Sequence, residues 1–311
     1  MKISIVGSGA MGSLFGGLLS RAGQEVVLYD VYGEHVEAIR RGGLAIEQAG
    51  STEVLTVHPA ASTDPEDTRG SDIMIVFVKS TATEEAARQF APLAGPGTIA
   101  LTLQNGLGNE AILRKHFGVE RTAAGVTSQG ATFLGPGRIR HAGKGPTHIA
   151  MAEGSHRRLV AFATALAQAG FETHVESDVA GLVWSKLIIN VGINALTALT
   201  GRQNGRLLDL EETRSLMADL VAEAVAVAKA KGIALTYADP LAAVFDVAKK
   251  TAANRSSMLQ DFDRNRATEI DVMNGAIVRE AAALGIPVPV NAAVTRLVKA
   301  LDRFHAERRG T

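Results

Sequence analysis

The apolar positions along the chain follow two rhythms. In the first, short β-like runs are separated by stretches of helical periodicity. Residues 3–6 (ISIV) read as a strand, 10–22 as a helix closed by Gly23, 25–30 as a second strand and 33–41 as a second helix. Gly23 suits the left-handed conformation that ends many helices. A weaker β segment covers 44–57, interrupted at Gly50. The run IMIVFV at 73–78 is apolar throughout, as expected for a strand covered on both faces. A helix over 81–91, a strand over 98–103 (TIALTL) and a helix over 109–116 follow. This alternation predicts a parallel sheet with helices on both sides.

Past residue 120 the pattern changes. Short β-like pieces at 122–128, 131–134, 138–141 and 147–151, separated by GPG and GKGP turns, read as antiparallel additions to the sheet. A helix over 157–169 and a strand over 172–175 close the domain. From 178 onward the spacing predicts helices near 178–200, 211–231, 238–250, 256–284 and 291–307. Pro287 and Pro289 punctuate the last boundary, with Asn291 available as its N-cap. The expectation is a doubly wound α/β domain over 1–177 and an all-α domain over 178–311.

Composition narrows the classes. Lys+Arg and Asp+Glu both number 32, so no basic excess argues for nucleic acid or an anionic membrane as partner. The absence of cysteine excludes disulfides, thiolate metal sites and a Cys nucleophile, suits a cytoplasmic protein, and leaves no reason to expect a metal. The opening MKISIVGSGAMG has too short an apolar run, 3–6, for a signal peptide. The apolar stretch 187–200 reads as too short and too polar to span a bilayer.

GSGAMG (Gly7, Ser8, Gly9, Ala10, Met11, Gly12) fits G-x-G-x-x-G directly after a strand and at the start of a helix. There the glycines permit a tight turn and close approach of a pyrophosphate, which the helix N-terminus then holds. This is the dinucleotide loop of a Rossmann domain; the plainer reading is a Gly-rich packing turn. Asp30 ends the second strand, 18 residues past Gly12, where a carboxylate can accept bonds from the adenosine ribose. It would repel a 2′-phosphate, and no Lys or Arg follows until Arg40, so NAD(H) is favoured over NADP(H). An Asp that merely starts a turn is the alternative. Lys79 and Gln104-Asn105-Gly106 follow strands, where ligands of open α/β sheets bind; an amide there can orient a nicotinamide or a substrate, or simply form an Asn-Gly turn.

WSKLIINVGINALTALTG (184–201) is mostly apolar yet places Lys186, Asn190 and Asn194 four apart. At helical spacing they span about 80° of one face. An ammonium there needs a partner or a cleft, because desolvation is costly, unless the Lys snorkels to water and the amides bond locally. Downstream, ANRSSMLQDFDRNRATEIDVMNG (253–275) holds Asn254, Ser256 and Ser257, which can cap a helix, and Glu269, a candidate partner for Lys186. Asn204-Gly205 is a turn.

These motifs together resemble the 2-dehydropantoate 2-reductase (ketopantoate reductase) family. The likeness rests on GSGAMG, VKSTAT (78–83), LQNGLGN (103–109), WSKLIINVGINALTALTGRQNG (184–205), NRSSMLQD and TEIDVMNG (254–275) and GIPVPVN (285–291), in order along nearly the whole chain. It implies a Rossmann domain followed by a helical domain like that of 6-phosphogluconate-type dehydrogenases, with the active site in the cleft between them. It also implies that Lys186 is the general acid, that Asn190, Asn194 and Ser257 bind substrate, with Asn204 and Asn254 as further candidates, that Lys79 and Asn105 lie between cofactor and substrate, that Gly130 offers backbone near the nicotinamide, and that Glu269 lies near the Lys and the cofactor. Many family members carry a basic residue just after the second strand and use NADPH; here LYDVYG (28–33) supplies Asp30.

The expected reaction is reduction of a small 2-oxo acid, ketopantoate, to a 2-hydroxy acid in pantothenate biosynthesis, with a homodimer as the self-association to expect, if any. The rivals are a 3-hydroxyacid dehydrogenase, which the SSMLQD and TEID segments argue against, an NAD-dependent reductase of another 2-oxo acid, and a non-catalytic dinucleotide sensor.

Overall fold

The computed structural model describes residues 1–154 and 156–307. The chain divides into two compact units, one of residues 1–104 and 109–179, the other of 105–108 and 180 onward. The first contains β1 (Lys2–Val6), α1 (Ala10–Arg21), β2 (Glu25–Tyr29), α2 (Gly33–Gly42), β3 (Leu44–Gln48), β4 (Val54–Val57), β5 (Ala60–Ser62), β6 (Ile73–Val76), α3 (Thr83–Phe90), β7 (Ile99–Thr102), α4 (Asn109–Phe117), β8 (Thr122–Thr127), β9 (Gly130–Gly135), β10 (Arg138–Gly143), β11 (Thr147–Ala150), α5 (His156–Gln168) and β12 (Thr173–Val175).

Its main sheet runs β12-β11-β8-β7-β6-β1-β2-β5. From β5 to β8 all pairings are parallel, while β11 runs antiparallel to β8. The continuous apolar strands are explained by a core on each face. Ile3, Ile5, Ile73 and Ile75 join one core with Leu14 and Phe15, and Val6, Met74 and Val76 join the other with Phe90. Successive strand residues point to opposite faces, so a strand with both faces covered has no polar phase to show.

The short pieces after residue 120 depart from the antiparallel extension expected of them. β8 is a parallel strand of the main sheet, and only β11 adds to it antiparallel. β9 and β10 instead form a hairpin that joins β3 and β4 in a second sheet, ordered β4-β3-β10-β9, in which β10 runs parallel to β3. That pairing joins segments about 90 residues apart, as the Ile46–Ile139 partnership records, and no local pattern announces it.

The second unit is built from α6 (Ala180–Thr200), α7 (Glu211–Ala230), α8 (Pro240–Lys250), α9 (Ser257–Asp263), α10 (Asn274–Leu284) and α11 (Pro289–Glu307). The single helix expected over 256–284 is broken. Arg266 N–H turns back to Asp261 O, Asn265 takes a positive φ of 50°, and a short 3-10 turn over Ile270–Val272 precedes α10. Asn291 is not the N-cap of the last helix. It lies inside α11, fully buried, and donates to Leu220 O and Glu223. The helix start is capped from α7, since the Glu223 carboxylate accepts the Val290 and Asn291 N–H groups, a favourable place for negative charge.

α6 is the central helix, packed against α7, α8 and α9. At 21 residues it is long and apolar enough to cross a membrane, contrary to the expectation from 187–200 alone, but most of it is buried inside this protein. Gly192 permits the close approach of α8, because a Cβ there would sit 2.8 Å from Val244 Cγ1.

Candidate active site

From β1 the chain winds through β2 to β5 in one direction, and from β6 through β7 to β8 in the other. The order therefore reverses between β1 and β6, and ligands of open α/β sheets bind beyond the strand ends at such a point. The glycine loop lies there. Gly7 has φ +95°, and a Cβ on it would lie 2.7 Å from the Val78 nitrogen, just past β6. A Cβ on Gly12 would come within 2.1 Å of Gly7 O. A Cβ on Gly9, by contrast, would meet nothing within 4 Å. Two glycines thus close the turn, and the third leaves an open approach to the start of α1. This cradle fits a dinucleotide pyrophosphate, whose charge the helix amides would receive. Ser8 is buried behind it, Ala10 and Met11 open the helix, and Gly130, which starts β9, packs close to Gly143.

Asp30 is held in place. Its carboxylate accepts Tyr32 N–H at 2.9 Å and lies 3.4 Å from Ser8 Oγ, which donates to it. The turn geometry and the loop contact are both present, so the local reading and the ribose-binding reading do not exclude each other. Tyr32 OH donates to Glu34 at 2.9 Å, which adds an exposed carboxylate just beyond the half-buried Asp30.

Lys79 is exposed and leads into a 3-10 turn over Ser80–Ala82. Gln104 is not available to orient a ligand, because its amide donates to Val78 O at 2.6 Å and Thr83 Oγ1 at 2.8 Å. Asn105 belongs to the helical unit. There Leu107 N–H donates to Val272 O, so the Asn105 segment adjoins the turn that follows Glu269. Glu269 itself is buried.

On α6, Lys186 keeps part of its surface open, yet burial pushes its ammonium down to about 8. Asn194 is buried and its Nδ2 donates toward Ser257 Oγ at 3.4 Å and lies 3.6 Å from Met273 Sδ. Asn190, one turn away, is half-buried. Ser256, next to Ser257, is the cap of α9, accepting Leu259 N–H and bonding Thr197 Oγ1 at 2.6 Å. Ser256 thus fixes the start of α9, and Ser257, its first residue, meets the α6 stripe at Asn194. Asn204 and Asn254 meet each other, Asn204 N–H donating to Asn254 O at 3.0 Å. The Asn204 side chain is buried against Thr251, with its Oδ1 unpartnered, and Asn254 is exposed.

Known proteins resemble this chain along its length. Residues 3–154 match the family described as ketopantoate reductase PanE/ApbA, and residues 178–302 match its C-terminal part. The chain belongs to the ketopantoate reductase family. A 2-dehydropantoate 2-reductase of Halobacterium salinarum is 36% identical over 304 residues, covering 97% of this chain and 99% of that one. The crystal structure of a PanE/ApbA family ketopantoate reductase from Ralstonia eutropha JMP134 superposes with a TM-score of 0.90 at 37% identity, covering 98% of this chain and 100% of the other. A structure of D-mandelate dehydrogenase with NADH and anilino(oxo)acetate superposes with a TM-score of 0.91 at 28% identity over 98% and 100% of the two chains.

Two buried polar residues of this ketopantoate reductase family member escaped the sequence reading. Ser13 lies one residue past the glycine motif, and His35 sits on the buried face of α2; both are closed to solvent. A serine inside the first turn of an otherwise apolar helix is the signal for the first. Nothing local marks the second, whose partners Ser13 and Gly137 lie 22 and 102 residues away.

Proposed function

We propose that this chain reduces 2-dehydropantoate to pantoate, with NADH as hydride donor. The observation that carries the reading is Lys186: an ammonium lowered by burial to about 8, on one helix face with two amides. The family match over both units supports the substrate class. NADH and a 2-oxo acid analogue bound to D-mandelate dehydrogenase support the same chemistry.

A nicotinamide held beyond the glycine loop would supply the hydride that reduces the ketone carbon. The chain does the rest. Negative charge develops on the substrate carbonyl oxygen, and the Lys186 ammonium stabilises it and donates the proton. A group with pKa near the working pH balances protonation against acid strength. Asn190, Asn194 and Ser257 bind the hydroxyl and carboxylate of the substrate without adding charge, and Asn105 and Lys79 orient the reacting ends. Glu269 is assigned as the carboxylate that positions the ammonium. Asn204 and Asn254 support the Ser257 segment from the α8 side. A cytoplasmic location is part of the same reading, supported by the absence of cysteine from the sequence.

The acid role fixes a pH profile. Lys186 must be protonated to reduce substrate, so kcat/KM for reduction is expected to be level below about 8 and to fall about tenfold per unit above it. The oxidation direction needs the free amine and should rise through the same window. Initial rates between about pH 6 and 10 read this directly; a reduction rate unchanged through that range would remove Lys186 as the acid.

Asp30 and Glu34 set the cofactor. A 2′-phosphate beside them meets like charge, so NADH is expected to exceed NADPH in kcat/KM by about 10²-fold. Initial rates with ketopantoate and each cofactor in parallel test both halves of the proposal. A preference for NADPH overturns the Asp30 reading, and no rate with either cofactor overturns the substrate. A panel of 3-hydroxyacids separates the neighbouring dehydrogenase class.

A further inference from the structure

Behind the glycine loop lies a hydrogen-bonded relay that no part of the reaction uses. His35, on α2, is 1% exposed. Its Nδ1 accepts the backbone N–H of Gly137 at 2.9 Å. A backbone N–H can only donate, so Nδ1 carries no proton and the neutral ring holds its hydrogen on Nε2. Nε2 lies 3.0 Å from Ser13 Oγ, and Ser13 Oγ donates to Ser8 O at 2.6 Å. The relay therefore has one direction, from Nε2–H to Ser13 O–H to the Ser8 carbonyl.

The last bond matters because of what shares its peptide. Ser8 C=O and Gly9 N–H belong to one planar trans unit, in which the two groups point opposite ways. Pulling the carbonyl inward aims the Gly9 N–H outward, on the side where Gly9 is exposed and a Cβ would meet nothing within 4 Å. With the peptide flipped, the loop would present an oxygen to a pyrophosphate instead of a donor.

We propose that His35 and Ser13 are positioning residues that lock the Ser8–Gly9 peptide in its anion-receiving orientation. The anchor of the relay is the β9–β10 turn. Gly137 there has φ +69°, and a Cβ would lie 3.0 Å from Ala38 Cβ, so a glycine is needed for its N–H to reach the ring. The Phe133 ring stands edge-on to His35 at 5.1 Å and closes the site. Burial lowers the His35 pKa, with Asp30 and a hydrogen bond to the Ser8 backbone opposing, in keeping with a neutral ring close to the carbonyl that Ser13 holds.

The inference rests on the dinucleotide reading above, and the test separates the two. ADP-ribose, which carries the pyrophosphate, and adenosine, which does not, are titrated against the whole protein. His35→Phe, which fills the same space beside Phe133, and Ser13→Ala are each expected to weaken ADP-ribose about tenfold, and the double variant no more than either alone. Adenosine affinity should not move. Wild-type ADP-ribose affinity in Ser13→Ala overturns the proposal even if His35→Phe does not fold. So does an equal loss for adenosine, which would mark a general packing defect. Failure of the unaltered protein to bind ADP-ribose would instead overturn the dinucleotide reading, and the relay's role with it.

Discussion

Lys186→Met is expected to lower kcat for ketopantoate reduction by ~10²–10⁴-fold while NADH still binds. The proposed cofactor cradle is made by residues of the α/β unit, and the variant removes only the proposed proton donor of α6. The same change should stabilise the fold. The lysine's folded pKa of about 8 lies below its ordinary 10.5. A group lowered in this way leaves the unfolded chain holding more protons between those values, so stability rises with pH through the window. Below it both states are protonated and the cost of enclosing the charge is fully present. Discounted for the part of the side chain that still meets water, removing that cost at pH 7 should yield about 1–3 kcal/mol. Thermal unfolding and single-turnover rates on one preparation check both halves. A variant that loses stability along with activity would show a structural lysine, not an acid held at a cost.

Gly12→Ala should weaken cofactor binding sharply with a change of one methyl group. The added Cβ would lie 2.1 Å from Gly7 O, a backbone atom that cannot rotate away. Either α1 or the turn must shift, and both carry the cradle. Overpacking of this kind costs about 1–3 kcal/mol. The expected result is a loss of about 10- to 100-fold in NADH affinity. Gly9→Ala has open space around its Cβ in the protein alone, so it should fold normally and lose affinity only through contact with the ligand. Comparing the two by calorimetric titration and thermal unfolding tells the effects apart. Equal Tm losses in both would contradict the contrast in packing.

The parts of the fold legible in the sequence were those whose cause is local. The loop GSGAMG, the apolar runs 3–6 and 73–78 and the 186–190–194 stripe declare themselves by spacing alone. The broken helix did not. No proline marks residues 264–269, and the break is held by Thr268, whose hydroxyl and N–H both donate to Asp302, 34 residues later. Helical periodicity carries no trace of that pairing. The second sheet was hidden for the same reason, since β3 waits for β10. In the site, Lys186 and Asp30 were readable because a charge in an apolar or strand-end context is unusual. The occupied state of Gln104 was not, because an amide at a strand end looks the same whether it serves a ligand or its neighbours. Ser256 and Ser257 were indistinguishable as adjacent serines until the helix start fell between them.

The excursion of residues 105–108 limits how relatives of this chain can be recombined. Gly106, at φ +82°, would carry a Cβ 2.3 Å from Val272 O, and Leu107 is bonded to that same carbonyl. These residues lie among those of the α/β unit in the sequence but fold with the helices. A chimera joined at residue 180 would seat one parent's 105–108 against the other parent's 270–272. The inheritable module is therefore discontinuous, and a crossover in this family must carry both segments from the same parent to keep that fit.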